Sequence, residues 1–288
     1  MADRTAIQWT DATWNPWHGC AKVSPGCDHC YMFTEKKAYG QNPERVVRSK
    51  TKFRDPLKWT EPRLVFTCSW SDFFHAEADL WRPEAWEIIR QTPQHTYQIL
   101  TKRHGRILRC LPDDWGQGYP NVWLGVSVEN QEWADHRIPV LLRIPAVVRW
   151  ISAEPLLGEI DLTRVTHQLG SASFETFNAL YAADALNRGH PQTSLDWVVV
   201  GGESGPGART MDLGWVHAIL TQGREANVPV FVKQLGAQPI GWGRYPATRH
   251  LGETGVLRLE DRKGGDVSEW PEDLRIREWP RSGARVVA

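Results

Sequence analysis

The stretch DWVVVGGESG, residues 196–205, decides the fold of this chain. Its apolar run WVVV is continuous and rich in β-branched residues, without the polar alternation of a strand that has one face in water. Such a run is typical of a strand covered on both faces, as the strands of parallel sheets are. Two glycines and Glu203 follow at once, at the carboxyl end of the strand, where parallel α/β folds bind their ligands.

Similar apolar runs recur along the chain and alternate with helical segments. Predicted strands lie at residues 64–70, 96–102, 121–130, 147–155, 196–205 and 228–236. Predicted helices lie at residues 82–93, 104–112, 131–145 and 212–229, the last with Asp212 as its N-cap. The alternation predicts an α/β fold, a partial or full (β/α) TIM-like barrel of about six to seven parallel strands. A doubly wound open sheet is the competing architecture.

Two segments interrupt this alternation. Residues 163–194 separate the predicted strand at residues 147–155 from the one at residues 196–205 and indicate an insertion with one helix, a candidate lid. Residues 237–288 are rich in Gly, Pro, Trp and charge, with a hairpin expected around residues 258–267 and a tail through residues 270–280. The predicted domains are therefore a barrel of residues 1–236, including the insertion, and a C-terminal extension of residues 237–288 that packs on it.

The composition is that of an ordinary globular protein, with 288 residues, 41% hydrophobic, 24% charged and a formal net charge of zero. Zero net charge argues against a strongly electrostatic, non-specific nucleic-acid binder, although residues 45–54 and 101–106 form local basic stretches. The N-terminus lacks a signal-like apolar core and no long apolar run occurs, so we expect a cytoplasmic protein without membrane association. Cytosolic thiols stay reduced, and clustered cysteines there more often bind metal or do chemistry than form disulfides.

Three of the five cysteines lie within the segment WNPWHGCAKVSPGCDHCY, residues 14–31. Cys20, Cys27 and Cys30 have the spacing C-x6-C-x2-C in a loop bounded by glycine and proline. A structural zinc site is one interpretation, with His18 or His29 as the fourth ligand. A disulfide with a spare thiol is disfavoured in the cytosol. The third interpretation is a [4Fe–4S] cluster on three protein thiolates, which leaves one iron open for a small molecule.

The segment NPWHGC…GCDHCY resembles the cluster loop of radical SAM enzymes, especially the branch that contains spore photoproduct lyase. Over most of its length the chain also resembles an uncharacterised phage and bacterial family with radical-SAM-like features and a three-cysteine motif. The shared stretches are WTDATWNPWHGCAKVSPGCDHCY, PQHTYQILTKR, NVWLGVSVENQ, ISAEPLLG and DWVVVGGESGPGAR. The usual radical SAM spacing is C-x3-C-x2-C, so three extra residues must bulge here to deliver Cys20 to the cluster.

The resemblance implies two cofactors, a [4Fe–4S] cluster held by the three cysteines and S-adenosylmethionine chelated by the open iron. It also implies cofactor contacts after the predicted strands, to the methionine amino group, its carboxylate, the ribose, the sulfonium and the adenine. The predicted cofactor-binding residues are His29, Ser69, Ser71, Asp72, Lys102, Arg103, Ser127, Glu129, Asn130, Ser152, Gly201 and Gly202. Purely structural roles stay open for many of them: a helix N-cap for Ser71 or Asp72, a surface basic pair for Lys102 and Arg103, and loop packing for His29.

The candidate catalytic residues are Cys68, Glu154 and Glu203. Carboxylates in a barrel mouth are costly unless they face a cation, hydroxyls or basic groups, which favours a functional role for the two glutamates. Cys68 is a candidate radical-quenching thiol, with a small core residue as the alternative.

The resemblance implies a radical SAM enzyme whose 5′-deoxyadenosyl radical abstracts hydrogen from a substrate, with DNA or another nucleic-acid base as the expected substrate, in modification, rearrangement or repair. The expected partners are DNA or a nucleotide substrate and an electron donor such as flavodoxin or ferredoxin. Two alternatives stay open: a radical SAM enzyme acting on a small molecule or peptide, and a non-catalytic zinc- or cluster-binding protein associated with nucleic acid.

Overall fold

A computed structural model describes residues 5–168, 173–181, 193–241 and 255–280 of the chain. The described residues form two compact units. The first unit runs to Val126 and includes Ile144–Arg149, and the second unit comprises Ser127–Arg143 and the described residues from Trp150 onward.

Strands and helices alternate through most of the chain. The strands are β1 (Ala12–Trp14), β2 (Trp17–His18), β3 (Val47–Arg48), β4 (Leu64–Thr67), β5 (Thr96–Thr101), β6 (Val122–Ser127), β7 (Val148–Ala153), β8 (Val165–Gln168), β9 (Phe174–Phe177), β10 (Trp197–Gly201), β11 (Met211–Asp212), β12 (Val230–Gln234) and β13 (Pro239–Ile240). The α-helices are α1 (Tyr31–Ala38), α2 (Arg82–Gln91), α3 (Ile107–Cys110), α4 (Gln131–Leu142) and α5 (Leu213–Ala226). Short 3-10 helices lie at Pro25–Cys27, Asp55–Lys58, Ala76–Ala78, His104–Arg106, Val267–Glu269 and Glu272–Leu274.

The first unit is built on parallel strands in the order β1-β4-β5-β6. Ala12 of β1 lies opposite Val65 of β4, and Tyr97 of β5 lies opposite Val122 of β6. Most apolar residues of these strands are buried, among them Val65, Ile99 and Leu124, as the near-continuous runs predict. Aromatic rings fill the space above β1, where Trp14 packs edge-on against Tyr97 at 5.6 Å between ring centroids.

The second unit contains parallel strands in the order β7-β10-β12. Trp197 of β10 lies opposite Trp150 of β7, and their rings are 5.3 Å apart. All five residues of β10 are buried, which confirms the strand predicted from WVVV. On the other edge of β12, Val232 donates to the carbonyl of Ile276 at 2.8 Å, so a C-terminal segment covers that edge.

Strands β6 and β7 each contain residues of both units. The seven sheet strands are all parallel. The predicted α/β class with a parallel sheet of six to seven strands is therefore confirmed. The closure of this sheet as a TIM-like barrel stays a prediction.

The helix termini follow their capping residues. Asp212 accepts a hydrogen bond from the backbone N–H of Gly214 at 2.7 Å, which confirms it as the N-cap of α5. Asn130 caps α4 in the same way through Trp133, at 3.1 Å. Among the described residues, no helix is both long and apolar enough to cross a membrane.

The two segments that interrupt the alternation differ from expectation. In the insertion, β8 and β9 pair as an antiparallel hairpin, and the helix expected there has no counterpart among the described residues, which leave out 182–192. The hairpin expected around residues 258–267 is a series of turns instead. Its N–H groups are bonded by a side chain and not by a second strand, because Asp261 accepts from Lys263, Gly265 and Asp266.

Candidate functional site

The three-cysteine loop lies in the first unit, directly after β1 and β2. Asn15 holds its start, because its carboxamide donates to Ser69 Oγ at 2.9 Å and accepts from the backbone N–H of Trp70 at 2.8 Å. Gly19 has φ +102° and lies against the chain opposite, where a Cβ would sit 2.2 Å from the carbonyl oxygen of Arg45. Only glycine fits this conformation and this approach. The backbone immediately before Cys20 is therefore held by the hydrogen bonds of Asn15 and by the close contact between Gly19 and Arg45.

Residues after β4 complete this anchorage. Ser71 Oγ donates to the carbonyl oxygen of Gly19 at 2.6 Å, and the N–H of Gly19 donates to the carbonyl oxygen of Trp70 at 2.9 Å. The Tyr31 hydroxyl donates to the carbonyl oxygen of Ser69. Ser69 and Ser71, predicted as cofactor contacts, thus hold the cysteine loop against the carboxyl end of β4.

The three thiols differ in their surroundings. Burial first, and the carboxylate of Asp72 second, raise the pKa of the Cys20 thiol to about 12, while the guanidinium of Arg103 opposes that rise. Burial also raises the pKa of Cys30, the N-cap residue of α1, while the N–H groups of Met32 and Phe33 oppose that rise. Cys27 lies 4.0 Å from Ser24 Oγ. Two of the three thiols are therefore protonated at neutral pH until a cation draws the proton off.

Arg103 and Asp72 connect the loop to the end of β5. Nη2 of Arg103 donates to the carbonyl oxygen of Ala21 at 2.8 Å and lies 3.7 Å from Cys20 Sγ. Asp72 is buried and accepts from Thr101 Oγ1 at 2.7 Å and from the N–H of Lys102 at 3.1 Å. Its carboxylate is thus occupied by donors from β5. The charge of Lys102 acts on Cys30 and lowers its pKa against the effect of burial.

All five cysteines are free thiols. In the part of the chain that the structure describes, no group of three or more His, Cys, Asp or Glu residues is arranged to hold a metal ion. A four-iron cluster is wider than one ion and takes its thiolates further apart. Three free thiols with a guanidinium at Cys20 and helix N–H groups at Cys30 are a donor set that fits such a cluster. His29 is exposed, two residues after the 3-10 turn Pro25–Cys27.

Cys68 directly follows β4, in a backbone conformation that non-glycine residues rarely adopt, with φ +66°. Its N–H donates to the carbonyl oxygen of Trp14 at 2.8 Å, and its side chain is 4% exposed. Burial raises its pKa well above the ordinary value, with the charges of Asp72 and Cys20 adding to the effect. The thiol predicted as a radical quencher is therefore enclosed beside the cysteine loop.

The second unit holds the other predicted residues. Glu129 and Arg137 form an ion pair at 2.9 Å with both side chains fully buried. The same guanidinium donates to the carbonyl oxygen of Ser127 at 2.7 Å and stacks 4.1 Å from the ring of Trp133. Glu129 and Ser127 thus bind α4 to the end of β6, and Asn130 is the helix cap described above.

Glu154 follows β7 and pairs with Lys233 of β12 at 2.9 Å. Ser152 Oγ donates to the other carboxylate oxygen of Glu154 at 3.2 Å. The pair lies across the end of β10, where a Cβ on Gly201 would sit 2.5 Å from Glu154 Oε1. Glycine at 201 therefore makes room for a carboxylate of this chain.

Glu203 closes the glycine-rich loop after β10. Its carboxylate accepts from the backbone N–H of Arg209 at 2.9 Å and from the guanidinium at 2.6 and 3.0 Å. A Cβ on Gly202 would sit 2.4 Å from the carbonyl oxygen of Leu235, so this glycine permits close backbone packing. The two glutamates that were predicted as catalytic each have a basic partner within the second unit.

Asn15, Gly19 and Tyr31 were not predicted as site residues, although all three stand in the quoted motif NPWHGC…GCDHCY. Arg137 and the partner of Glu154 were not predicted either. The motif itself was a usable signal for the first three. Nothing in the local pattern indicates the partners of Glu129 and Glu154, because they come from other elements of the fold.

Of the comparisons with known proteins, one finds a match, and it is to a family model. A family model described as "Protein of unknown function (DUF5131)" matches residues 4–263. No curated protein and no solved structure matches the chain.

Proposed function

We propose that this chain, which belongs to the DUF5131 family, is a radical SAM enzyme that binds a [4Fe–4S] cluster through Cys20, Cys27 and Cys30. When bound, such a cluster supplies the electron that cleaves S-adenosylmethionine and so allows hydrogen abstraction from an unactivated carbon.

One observation carries this proposal: the cysteine loop is anchored on the carboxyl ends of β4 and β5 by contacts that hold Cys20 in a defined place. Ser71 and Trp70 bond Gly19, and Arg103 bonds Ala21 on the other side of Cys20. A loop that served only as a connection would not need anchors on both neighbours of one thiol. The carboxyl ends of parallel strands are where α/β folds bind cofactors.

The surrounding residues prepare the thiols to act as thiolates. The guanidinium at Cys20 and the N–H groups at the start of α1 both favour a negative sulfur, against the effect of burial. Cys30 is set by its position as the helix N-cap, so its backbone does not have to rearrange.

The substrate we propose is a nucleic-acid base, in DNA or as a nucleotide. The likeness of the cysteine loop to the spore photoproduct lyase branch supports this class, as do the basic residues of the segment 45–54. In that segment Arg45 and Lys50 are exposed, whereas Arg48 and Arg54 share Glu84 as their ion-pair partner. Exposed cations of this kind attract phosphates.

The test is anaerobic reconstitution with iron and sulfide, followed by reduction with dithionite in the presence of S-adenosylmethionine. We expect about four irons per chain and release of 5′-deoxyadenosine. Serine at any one of Cys20, Cys27 or Cys30 should abolish that release. Cys110→Ser is the matched control, because Cys110 lies on α3 outside the loop, and it should behave as the unaltered protein.

Stoichiometric zinc in place of iron, with no cleavage of S-adenosylmethionine, would contradict the proposal and favour a non-catalytic metal protein. If S-adenosylmethionine is cleaved, deuterium transfer from labelled DNA or from labelled small molecules assigns the substrate class. Transfer from a small molecule or peptide, and not from a nucleic-acid base, would contradict the proposed substrate alone.

A further inference from the structure

The side chain of Arg103 is directed at the cysteine loop. Its Nη2 donates to the carbonyl oxygen of Ala21 at 2.8 Å, and the same nitrogen lies 3.7 Å from Cys20 Sγ. This is within hydrogen-bonding range for sulfur, the larger acceptor. The side chain of Arg103 is 15% exposed, so little water screens the contact.

Arg103 is also held from behind. Its backbone N–H donates to Thr101 Oγ1 at 2.8 Å, and that hydroxyl in turn donates to Asp72 at 2.7 Å. The guanidinium Nε lies 3.9 Å from the Asp72 carboxylate. The position of the guanidinium is therefore fixed by the ends of β4 and β5, and no ligand is needed to bring it to Cys20.

We infer that Arg103 is a positioning residue that sets the reduction potential of the cluster through Cys20, an inference that rests on the proposed function. A hydrogen bond from a cation to a ligating sulfur stabilises the reduced cluster, which carries one more negative charge. Removing the guanidinium should then make the cluster harder to reduce. This role acts through Cys20 and differs from the direct contact to S-adenosylmethionine that was predicted for Arg103.

The experiment is an EPR-monitored redox titration of the reconstituted full chain. Arg103→Met should shift the midpoint potential to a more negative value than that of the unaltered protein. Arg103→Lys keeps the charge without the planar fork, so its potential should lie between the two. Arg109→Met removes an exposed guanidinium from the same unit and should leave the potential unchanged.

Iron content and far-UV circular dichroism show whether each variant keeps its cluster and fold. If Arg103→Met loses iron, the potential of Arg103→Lys decides alone, and a value equal to that of the unaltered protein overturns the inference. An unchanged potential in Arg103→Met, with loss of the EPR response to S-adenosylmethionine, would overturn it too and assign Arg103 to the methionine carboxylate. If the unaltered protein assembles no cluster, the proposed function fails, and the inference fails with it.

Discussion

The conformation of Gly19 allows a quantitative prediction about the cysteine loop. In Gly19→Ala the new Cβ would sit 2.2 Å from the carbonyl oxygen of Arg45, and the residue would keep φ +102°. A side chain in the left-handed region costs about 1–2 kcal/mol. Overpacking against backbone that must move typically costs a further 1–3 kcal/mol, so we expect a total loss of about 2–5 kcal/mol in the free energy of unfolding.

Gly205 is the matched control for this substitution. Its φ is +98°, close to that of Gly19, and no atom lies within 4 Å of the position its Cβ would take. Gly205→Ala should therefore cost only the conformational part, about 1–2 kcal/mol. Urea unfolding of the metal-free proteins measures both losses, and iron uptake should fall in Gly19→Ala alone. Equal losses for the two variants would refute the reasoning, because they would show that the contact with Arg45 carries no energy.

Three further predictions concern stability. Glu129→Gln leaves the guanidinium of Arg137 buried without its counter-charge, so we expect the free energy of unfolding in urea to fall by about 3–5 kcal/mol. Glu87→Gln, in an exposed pair, should lower it by under about 1 kcal/mol. Similar losses for the two variants would contradict the burial argument. Asp72→Asn places an amide N–H donor against the donors of Thr101 and Lys102, which should lower the free energy of unfolding by about 1–3 kcal/mol. An unchanged free energy of unfolding in the same assay would show that this acceptor is dispensable. The metal-free protein should lose stability as pH rises above about 9 towards 12, because the raised pKa of Cys20 keeps the thiol protonated in the folded state where the unfolded chain releases the proton. Thermal unfolding at pH 8 and at pH 10 should show a smaller loss of stability in Cys20→Ser than in the unaltered protein. An identical loss in the two proteins would argue against the raised pKa.

The sequence was sufficient for the parts of the fold that depend on local pattern. The run WVVV predicted β10 because a strand buried on both faces needs apolar residues without alternation. Asp212 predicted the start of α5 because its carboxylate bonds an N–H two residues later. The turn at residues 258–267 was misread as a hairpin, since glycine and charged residues fit both structures and only the bonds to Asp261 separate them.

The candidate site was predictable to the extent that its residues share a motif. The cysteine spacing predicted the loop, and the polar residues at the strand ends predicted the side chains near it. What each side chain contacts was not predictable, because those partners lie far away along the chain. Ser71 bonds Gly19, and Glu154 meets Lys233, across 52 and 79 positions. A polar residue at a strand end can therefore bond neighbouring segments of its own chain without contacting a ligand.

The central claim is that three cysteine thiolates hold a cluster with one iron open to S-adenosylmethionine. The most direct measurement is EPR of the reconstituted, dithionite-reduced protein with and without S-adenosylmethionine, under anaerobic conditions. We predict a signal of a reduced [4Fe–4S] cluster that changes when S-adenosylmethionine is added. A protein that takes up zinc and gives no cluster signal, or a cluster signal that S-adenosylmethionine leaves unchanged, would contradict the account.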